Sequence, residues 1–170
     1  MPLLEVSKVS KYFGGLAAVN DVDLSVNRGD IVGLIGPNGA GKTTLFNLIT
    51  GFFQPTRGRI TFKDEDITGK KPDRIAKKGI VRTFQATILF KERPVLENVI
   101  AAHHLKAKAS FWDNIFATPS FQKEVKDIEA SSLHILQDLG LAHFKDELAK
   151  NLPHGHQRIL GIAIALAAGP

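Results

Sequence analysis

Between Asp21 and Val26 the apolar residues Val22, Leu24 and Val26 alternate with polar ones, the period of a strand with one face in a core and one in water. Leu3–Val6 reads as another short strand. After the turn Asn27-Arg28-Gly29-Asp30 the pattern changes. Ile31-Val32-Gly33-Leu34-Ile35 is apolar throughout, which predicts a strand of a parallel sheet covered on both faces. Gly36–Gly41 then reads as a loop, and Lys42–Thr50 as a helix with Gly51 just past its end. Pro55-Thr56-Arg57-Gly58 turns the chain into a strand at Arg59–Phe62, followed by a polar hairpin at Lys63–Asp66. Pro72–Lys78 predicts a short helix, with proline near its start and Gly79 after its end. Ile80–Phe84 predicts a further strand and Leu96–Leu105 a helix, while Ala107–Pro119 is the most loop-like stretch. From Phe121 to Leu139 the residues Val125, Ile128, Ile135, Leu136 and Leu139 recur at helical spacing, the mark of a one-faced helix that Gly140 ends. A last helix is expected over Gly155–Ala168. Strands and helices intermingle, so the class is α/β. The chain shows no internal repeat, no low-complexity tract and no linker long enough to separate independent domains.

Length and composition narrow this only a little. The 170 residues suit one domain, or somewhat less than one of the larger α/β kind. Hydrophobic residues make up 44%, enough for a core. The net charge of +5 raises nucleic acid as a partner, but the basic residues are scattered and no aromatic-and-arginine platform accompanies them. No nucleic-acid partner is expected. The absence of cysteine excludes disulfides and thiolate metal sites and is compatible with the cytoplasm. Met-Pro-Leu-Leu-Glu carries no signal-peptide pattern, and the longest apolar run, Ile159–Gly169, is too short to span a bilayer. A soluble chain that reaches membranes only through partners is expected.

The chemistry concentrates in Gly36-Pro37-Asn38-Gly39-Ala40-Gly41-Lys42-Thr43, which fits G-x-x-x-x-G-K-[ST] between an expected strand and an expected helix. Glycines let the backbone curl so that successive N–H groups face a phosphate without Cβ atoms intervening. The helix that begins near Lys42 adds its positive end. Lys42 supplies a mobile point charge to the β- and γ-phosphates, and the Thr43 hydroxyl is placed to ligate Mg²⁺. A mild basic excess suits such a ligand. The loop alone does not choose among GTPases, kinases and transport ATPases. Asp66-Ile67-Thr68-Gly69 matches the loose D-x-x-G of GTPases, but it falls in the expected hairpin and no N-K-x-D accompanies it.

Three runs narrow the choice: Phe13-Gly14-Gly15-Leu16-Ala17-Ala18-Val19, then Val32 through Asn47, then Arg82-Thr83-Phe84-Gln85. With them the chain resembles the ATP-binding subunits of ABC importers, specifically those for branched-chain amino acids, and less tightly so toward Pro170. The resemblance implies an α/β P-loop NTPase fold of the ABC ATPase type, with an antiparallel β subdomain, a helical subdomain and an incomplete core sheet. Residues 1–84 would form the β subdomain and P-loop core, 85–150 the Q-loop and helical subdomain, and 151–170 the signature motif and its helix. It implies that ATP is held by Phe13, Gly36, Pro37, Asn38, Gly39, Ala40, Gly41, Lys42, Thr43 and Thr44, with adenine stacked on Phe13, a role that the adjacent Tyr12 could share. Gln85 resembles the Q-loop glutamine, which with Thr43 would contact Mg²⁺ and position the attacking water.

Leu152-Pro153-His154-Gly155-His156-Gln157 resembles the signature motif, usually Leu-Ser-Gly-Gly-Gln, which clamps the γ-phosphate on a partner subunit from a helix N-terminus. Pro153 replaces the serine hydroxyl, and His156 stands where glutamine is usual, able to donate to phosphate. His154 and His156 form an H-x-H, but two ligands without a third argue against a metal site. His103, His104, His134 and His143 read as surface or boundary residues, and Lys70, Lys71, Arg74, Lys77 and Lys78 as a solvated face. Family members continue beyond the signature helix with an apolar strand ending in Asp-Glu and later a switch histidine. The sequence stops at Gly169-Pro170, where that strand is expected to begin, so little independent hydrolysis is expected. The implied partners are a second ATPase subunit in a head-to-tail dimer, two permease subunits, and a periplasmic or extracellular substrate-binding protein. The implied place is the cytoplasmic face of the plasma (inner) membrane, peripherally. Urea or short-amide import and a non-catalytic nucleotide-binding module are the alternatives.

Overall fold

The computed structural model describes residues 1–83, 89–103 and 119–170. These gather into two compact units, Met1–Ile75 and Ala76–Pro170. The first is built on a four-stranded antiparallel sheet of order β2-β1-β3-β4, with β1 Leu4–Phe13, β2 Leu16–Val26, β3 Arg57–Phe62 and β4 Glu65–Asp66. β1 and β2 form one long hairpin, with Leu4 opposite Val26 at one end and Phe13 opposite Leu16 at the other. This hairpin takes in Ser7–Asn20, for which the pattern gave no strand. The reason is local. The register slips between Val6 and Val9 and again at Lys11, and each slip breaks the two-residue period on which strand reading depends. Lys8 and Asp21 have φ of 47° and 51° there. Side chains satisfy the backbone donors that the slips release: Lys8 N–H donates to Asp23 Oδ1 at 2.8 Å, and Asp21 N–H to Ser10 Oγ at 2.8 Å. The β3–β4 turn uses Lys63 and Asp64 in left-handed conformation, as a tight hairpin requires.

Helix α1, Lys42–Ile49, turns Leu45, Leu48 and Ile49 inward and packs on β2. It stops as expected, at Thr50 with Gly51 following at φ 79°. Val6, Val9, Val19, Ile60, Phe62, Ile67 and Ile75, the last on the short α2 (Pro72–Lys77), complete the buried apolar set of this unit.

Two expected strands do not form. Residues 31–35 pair with none of the four strands; Ile31 is 101% exposed and Ile35 94%. Residues 80–83 are likewise irregular, and Phe84 lies outside the described residues. A strand is stable only where a neighbour accepts and donates its backbone hydrogen bonds, and an apolar run states the need for cover without supplying the partner. The incomplete core sheet is therefore, among the described residues, no parallel sheet at all.

The second unit is helical: α3 Val95–Ala102, α4 Pro119–Asp138 and α5 His154–Ala167, with short 3₁₀ turns at Ala142–Phe144 and Ala149–Asn151. Val95 and Val99 of α3, Leu136 of α4, and Leu160, Ala163 and Ala167 of α5 meet in one core with Leu141, Ala149 and Leu152. The connector 145–150 closes the start of α3. Val95 and Leu96 N–H donate to the carbonyls of Glu147 and Lys145, each at 2.9 Å, which satisfies first-turn donors that a helix leaves open. The one-faced reading of α4 holds only in its second half. Val125 is 44% exposed, and the buried positions are Ser132, whose hydroxyl donates to Ile128 O at 2.8 Å, and Leu136. The loop-like stretch 107–118 lies outside the described residues, and Pro119 already begins α4.

Candidate phosphate-binding site

The glycine-rich loop stands exposed from Gly36 to Ala40 and leads directly into α1. Gly39 and Gly41 take φ of 85° and 82°, values costly for any residue with a Cβ. A Cβ on Gly39 would meet nothing within 4 Å. One on Gly41 would lie 2.2 Å from the Ala18 carbonyl oxygen, so the absence of a side chain there is what lets the loop close on β2. A turn inside the loop, Ala40 N–H to Pro37 O at 3.3 Å, folds it back on itself.

At the start of α1 no side chain caps the helix and its first turn carries no acidic residue. The backbone N–H groups of Lys42, Thr43 and Thr44 therefore begin the helix with its positive end uncompensated. The Lys42 ammonium folds over the loop and donates to the carbonyls of Gly36 and Pro37, both at 2.7 Å, leaving one of its three protons. Thr43 is exposed beside it. Together these are a set of donors with no acidic side chain among them, a curled backbone without Cβ atoms in the way, and a cation at the rim. The set fits a polyphosphate, and the Thr43 hydroxyl can add one oxygen ligand for a hard cation such as Mg²⁺. A hollow of about 280 Å³ opens beside the loop, lined by Ala17, Ala18, Val19, Leu34, Ile35, Gly41, Lys42 and Leu45 among others.

Phe13 ends β1 and is 44% exposed. It faces Leu16 across the hairpin, two residues from Ala18, so along the strand it lies about 7 Å from the point where Gly41 rests on β2. Phe53 meets its ring edge-to-face at 5.3 Å. Tyr12 is committed elsewhere, its hydroxyl donating to Asn20 Oδ1 at 2.8 Å. Lys11 was not singled out from sequence, yet its Nζ sits over the Phe13 ring, 5.1 Å from the centroid. The register slip between Lys11 and Tyr12 interrupts the two-residue alternation there, so spacing alone gave no signal for this pair.

Gln85 lies outside the described residues. The signature stretch belongs to the second unit. Leu152 is buried in the helical core, and Pro153 precedes α5, which has no side-chain cap. His154 and Gly155 are exposed at the helix start. His156 packs edge-on against Phe144 at 5.1 Å with its Nδ1 buried and without a partner, while Gln157 Nε2 donates back to Leu152 O at 2.9 Å. The residues of this stretch that stand open at the helix start, with backbone N–H groups, are thus His154 and Gly155, since Pro153 has no N–H.

The D-x-x-G stretch is accounted for inside the hairpin. Asp66 Oδ1 accepts from Thr68 N–H at 2.8 Å, and its other oxygen lies 3.4 Å from Arg59 Nε. The Thr68 hydroxyl and N–H, helped by Arg59 and Lys70 and against a small burial effect, hold the Asp66 carboxyl below its ordinary value of 3.8. His134 pairs with Asp138 at 3.1 Å on α4, and His143 stacks on Phe144; His104 lies outside the described residues. No helix among the described residues is long and apolar enough to cross a membrane.

The fold and loop define a P-loop chain of mixed α/β class, and comparison with known proteins places it further. Residues 19–170 match the family described as ABC transporter, and the chain belongs to that family. It is 44% identical over 169 residues to the high-affinity branched-chain amino acid transport ATP-binding protein BraF of Pseudomonas aeruginosa, covering 99% of this chain and 66% of that protein. It is 42% identical over 169 residues to LivG of Escherichia coli K12, named for the same transport, with the same coverage. A solved ATP-binding cassette of an ABC transporter in its ADP conformation superposes with a TM-score of 0.82 at 39% identity, covering all of this chain and 66% of that one. The chain thus spans just under two thirds of the length of these relatives.

Proposed function

We propose that this chain is the nucleotide-binding portion of an ATPase subunit that couples ATP binding and hydrolysis to import of branched-chain amino acids through a membrane permease. The observation that carries the nucleotide reading is the loop itself: left-handed Gly39 and Gly41, uncapped first-turn amides of α1, and the Lys42 ammonium at its rim. Support for the transport reading comes from the family match and from the names of the relatives.

In this reading the polyphosphate lies against the N–H groups of Gly39, Gly41, Lys42, Thr43 and Thr44, and Lys42 turns a proton toward the β- and γ-phosphates. Thr43, with Gln85, would hold Mg²⁺, which when bound neutralises charge building on the phosphates. Phe13 offers its ring to the base, a contact that asks nothing of hydrogen-bond pattern. Pro153, His154 and Gly155 face the nucleotide of a second, head-to-tail subunit, and the pair docks peripherally on two permease subunits served by a substrate-binding protein.

Titration with Mg-ATP of the unmodified chain and of Lys42→Ala tests the site. Loss of the ammonium is expected to weaken binding at least about tenfold, the worth of one charge-assisted hydrogen bond. Equal affinities would remove the site from the loop.

A further inference from the structure

The ring at the end of β1 is not held by apolar packing alone. Lys11 precedes Phe13 by two residues, and its Nζ lies over the ring at 5.1 Å from the centroid. Among the described residues Lys11 makes no salt bridge, so this ring is the partner its charge has. Phe53 meets the ring at 76° and 5.3 Å. Even so, Phe13 is 44% exposed, so with the ammonium and Phe53 in place part of the residue's surface still meets solvent. A second lysine–phenylalanine pair, Lys63 over Phe62 at 4.9 Å, has no such opening, because Phe62 is only 7% exposed. The Lys11 pair is the one built at a surface.

We propose that Lys11 is a positioning residue for the nucleotide base, seated behind Phe13 so that ammonium, phenyl ring and base form three layers. The proposal rests on the reading of Phe13 as the base-stacking ring. The faces of a phenyl ring and of a purine both carry π-electron density, and two such faces repel when stacked squarely. A cation on the far side of the phenyl ring draws density away from the near side and relieves that repulsion. It also fixes the ring's orientation before the base arrives, so less freedom is lost on binding. Lys11 acts through Phe13 and touches no phosphate, so its effect belongs to the base half of the ligand.

The test titrates the 170-residue chain with Mg-ATP, adenosine and inorganic tripolyphosphate, in unmodified form and as Lys11→Met, Lys11→Arg, Phe13→Ala and the Lys11→Met/Phe13→Ala double variant. Methionine keeps the packing stem and removes the charge; arginine keeps both charge and ring contact. Lys11→Met is expected to weaken Mg-ATP and adenosine by the same factor, about two- to fivefold. Tripolyphosphate affinity stays unchanged, Lys11→Arg restores the unmodified values, and the double variant binds no worse than Phe13→Ala. Circular dichroism melts of Lys11→Met matching the unmodified chain would exclude a general loss of structure. Three results overturn the proposal: unchanged ATP and adenosine affinity in Lys11→Met, a loss shared by tripolyphosphate (a phosphate contact), or tighter adenosine binding (an ammonium competing for the same face). Unchanged Mg-ATP affinity in Phe13→Ala would instead bring down the base-stacking reading, and the role of Lys11 with it.

Discussion

Replacing Gly41 by alanine isolates the contact on which the loop's position depends. The new methyl group faces two costs. At φ 82° an alanine sits in left-handed backbone, a penalty of about 1–2 kcal/mol. Its Cβ would also fall 2.2 Å from the Ala18 carbonyl oxygen, a backbone atom of a paired strand that has no rotamer to escape into. Real Cβ contacts essentially never come under 3.0 Å, so loop or strand must move by most of an ångström. Forced overpacking of that kind costs about 1–3 kcal/mol more. Gly39→Ala is the matched control, with nearly the same φ, 85°, and nothing within 4 Å of its Cβ. It carries the conformational penalty alone. In a chain of this size each kcal/mol shifts the melting temperature by about 2–4 °C. Followed by circular dichroism, Gly41→Ala should therefore melt lower than Gly39→Ala by at least about 2 °C and by up to about 12 °C. Equal melting temperatures would refute the close seating of the loop on β2.

Two further predictions concern groups away from the loop. Asn98 is 1% exposed; its Oδ1 accepts from Phe90 N–H at 2.8 Å, and its amide donates to the carbonyls of Phe90, Arg93 and Pro94. Asn98→Ala is expected to cost about 2–4 kcal/mol in urea unfolding. Asn98→Asp should cost more at neutral pH, because a carboxylate has no proton for those three carbonyls, and should recover partly below about pH 4; an aspartate better tolerated than alanine at pH 7 would contradict the bonding described. For Asp66, Thr68→Val removes the largest contribution holding its carboxyl low, so its pKa in an NMR titration should rise toward 3.8. A lowered folded pKa means the contribution to stability is complete above the ordinary carboxylate value and fades as pH falls through the folded one. An unmoved Asp66 titration would show that Thr68 is not the cause.

How much of this was legible in the sequence depended on whether the signal was local. The loop, the helix behind it and the stop at Gly51 follow from residues within one turn of each other, and each stands where spacing put it. The β1–β2 hairpin was only half visible, because register slips at Val6–Val9 and Lys11 hide the alternation. The run 31–35 misled for the opposite reason: its composition states a demand for burial, and burial depends on partners that no local pattern names. The polar members of the helical unit were equally silent. Ser132, fully buried on α4, and Asn98, fastening residues 90–94, look like surface residues until the chain closes around them. At the site, Phe13 and Lys42 stood out, while Lys11 gained meaning only once β1 placed it over the ring.

The direct measurement of the central claim is a titration of ¹⁵N-labelled chain with Mg-ATP, following backbone amide signals residue by residue. If a polyphosphate is held by main-chain donors at the head of α1, the signals of Gly39, Gly41, Lys42, Thr43 and Thr44 move together and saturate at one affinity, and Lys42→Ala displaces that affinity for all of them. Saturable binding of Mg-ATP that leaves these five amides where they were would contradict it.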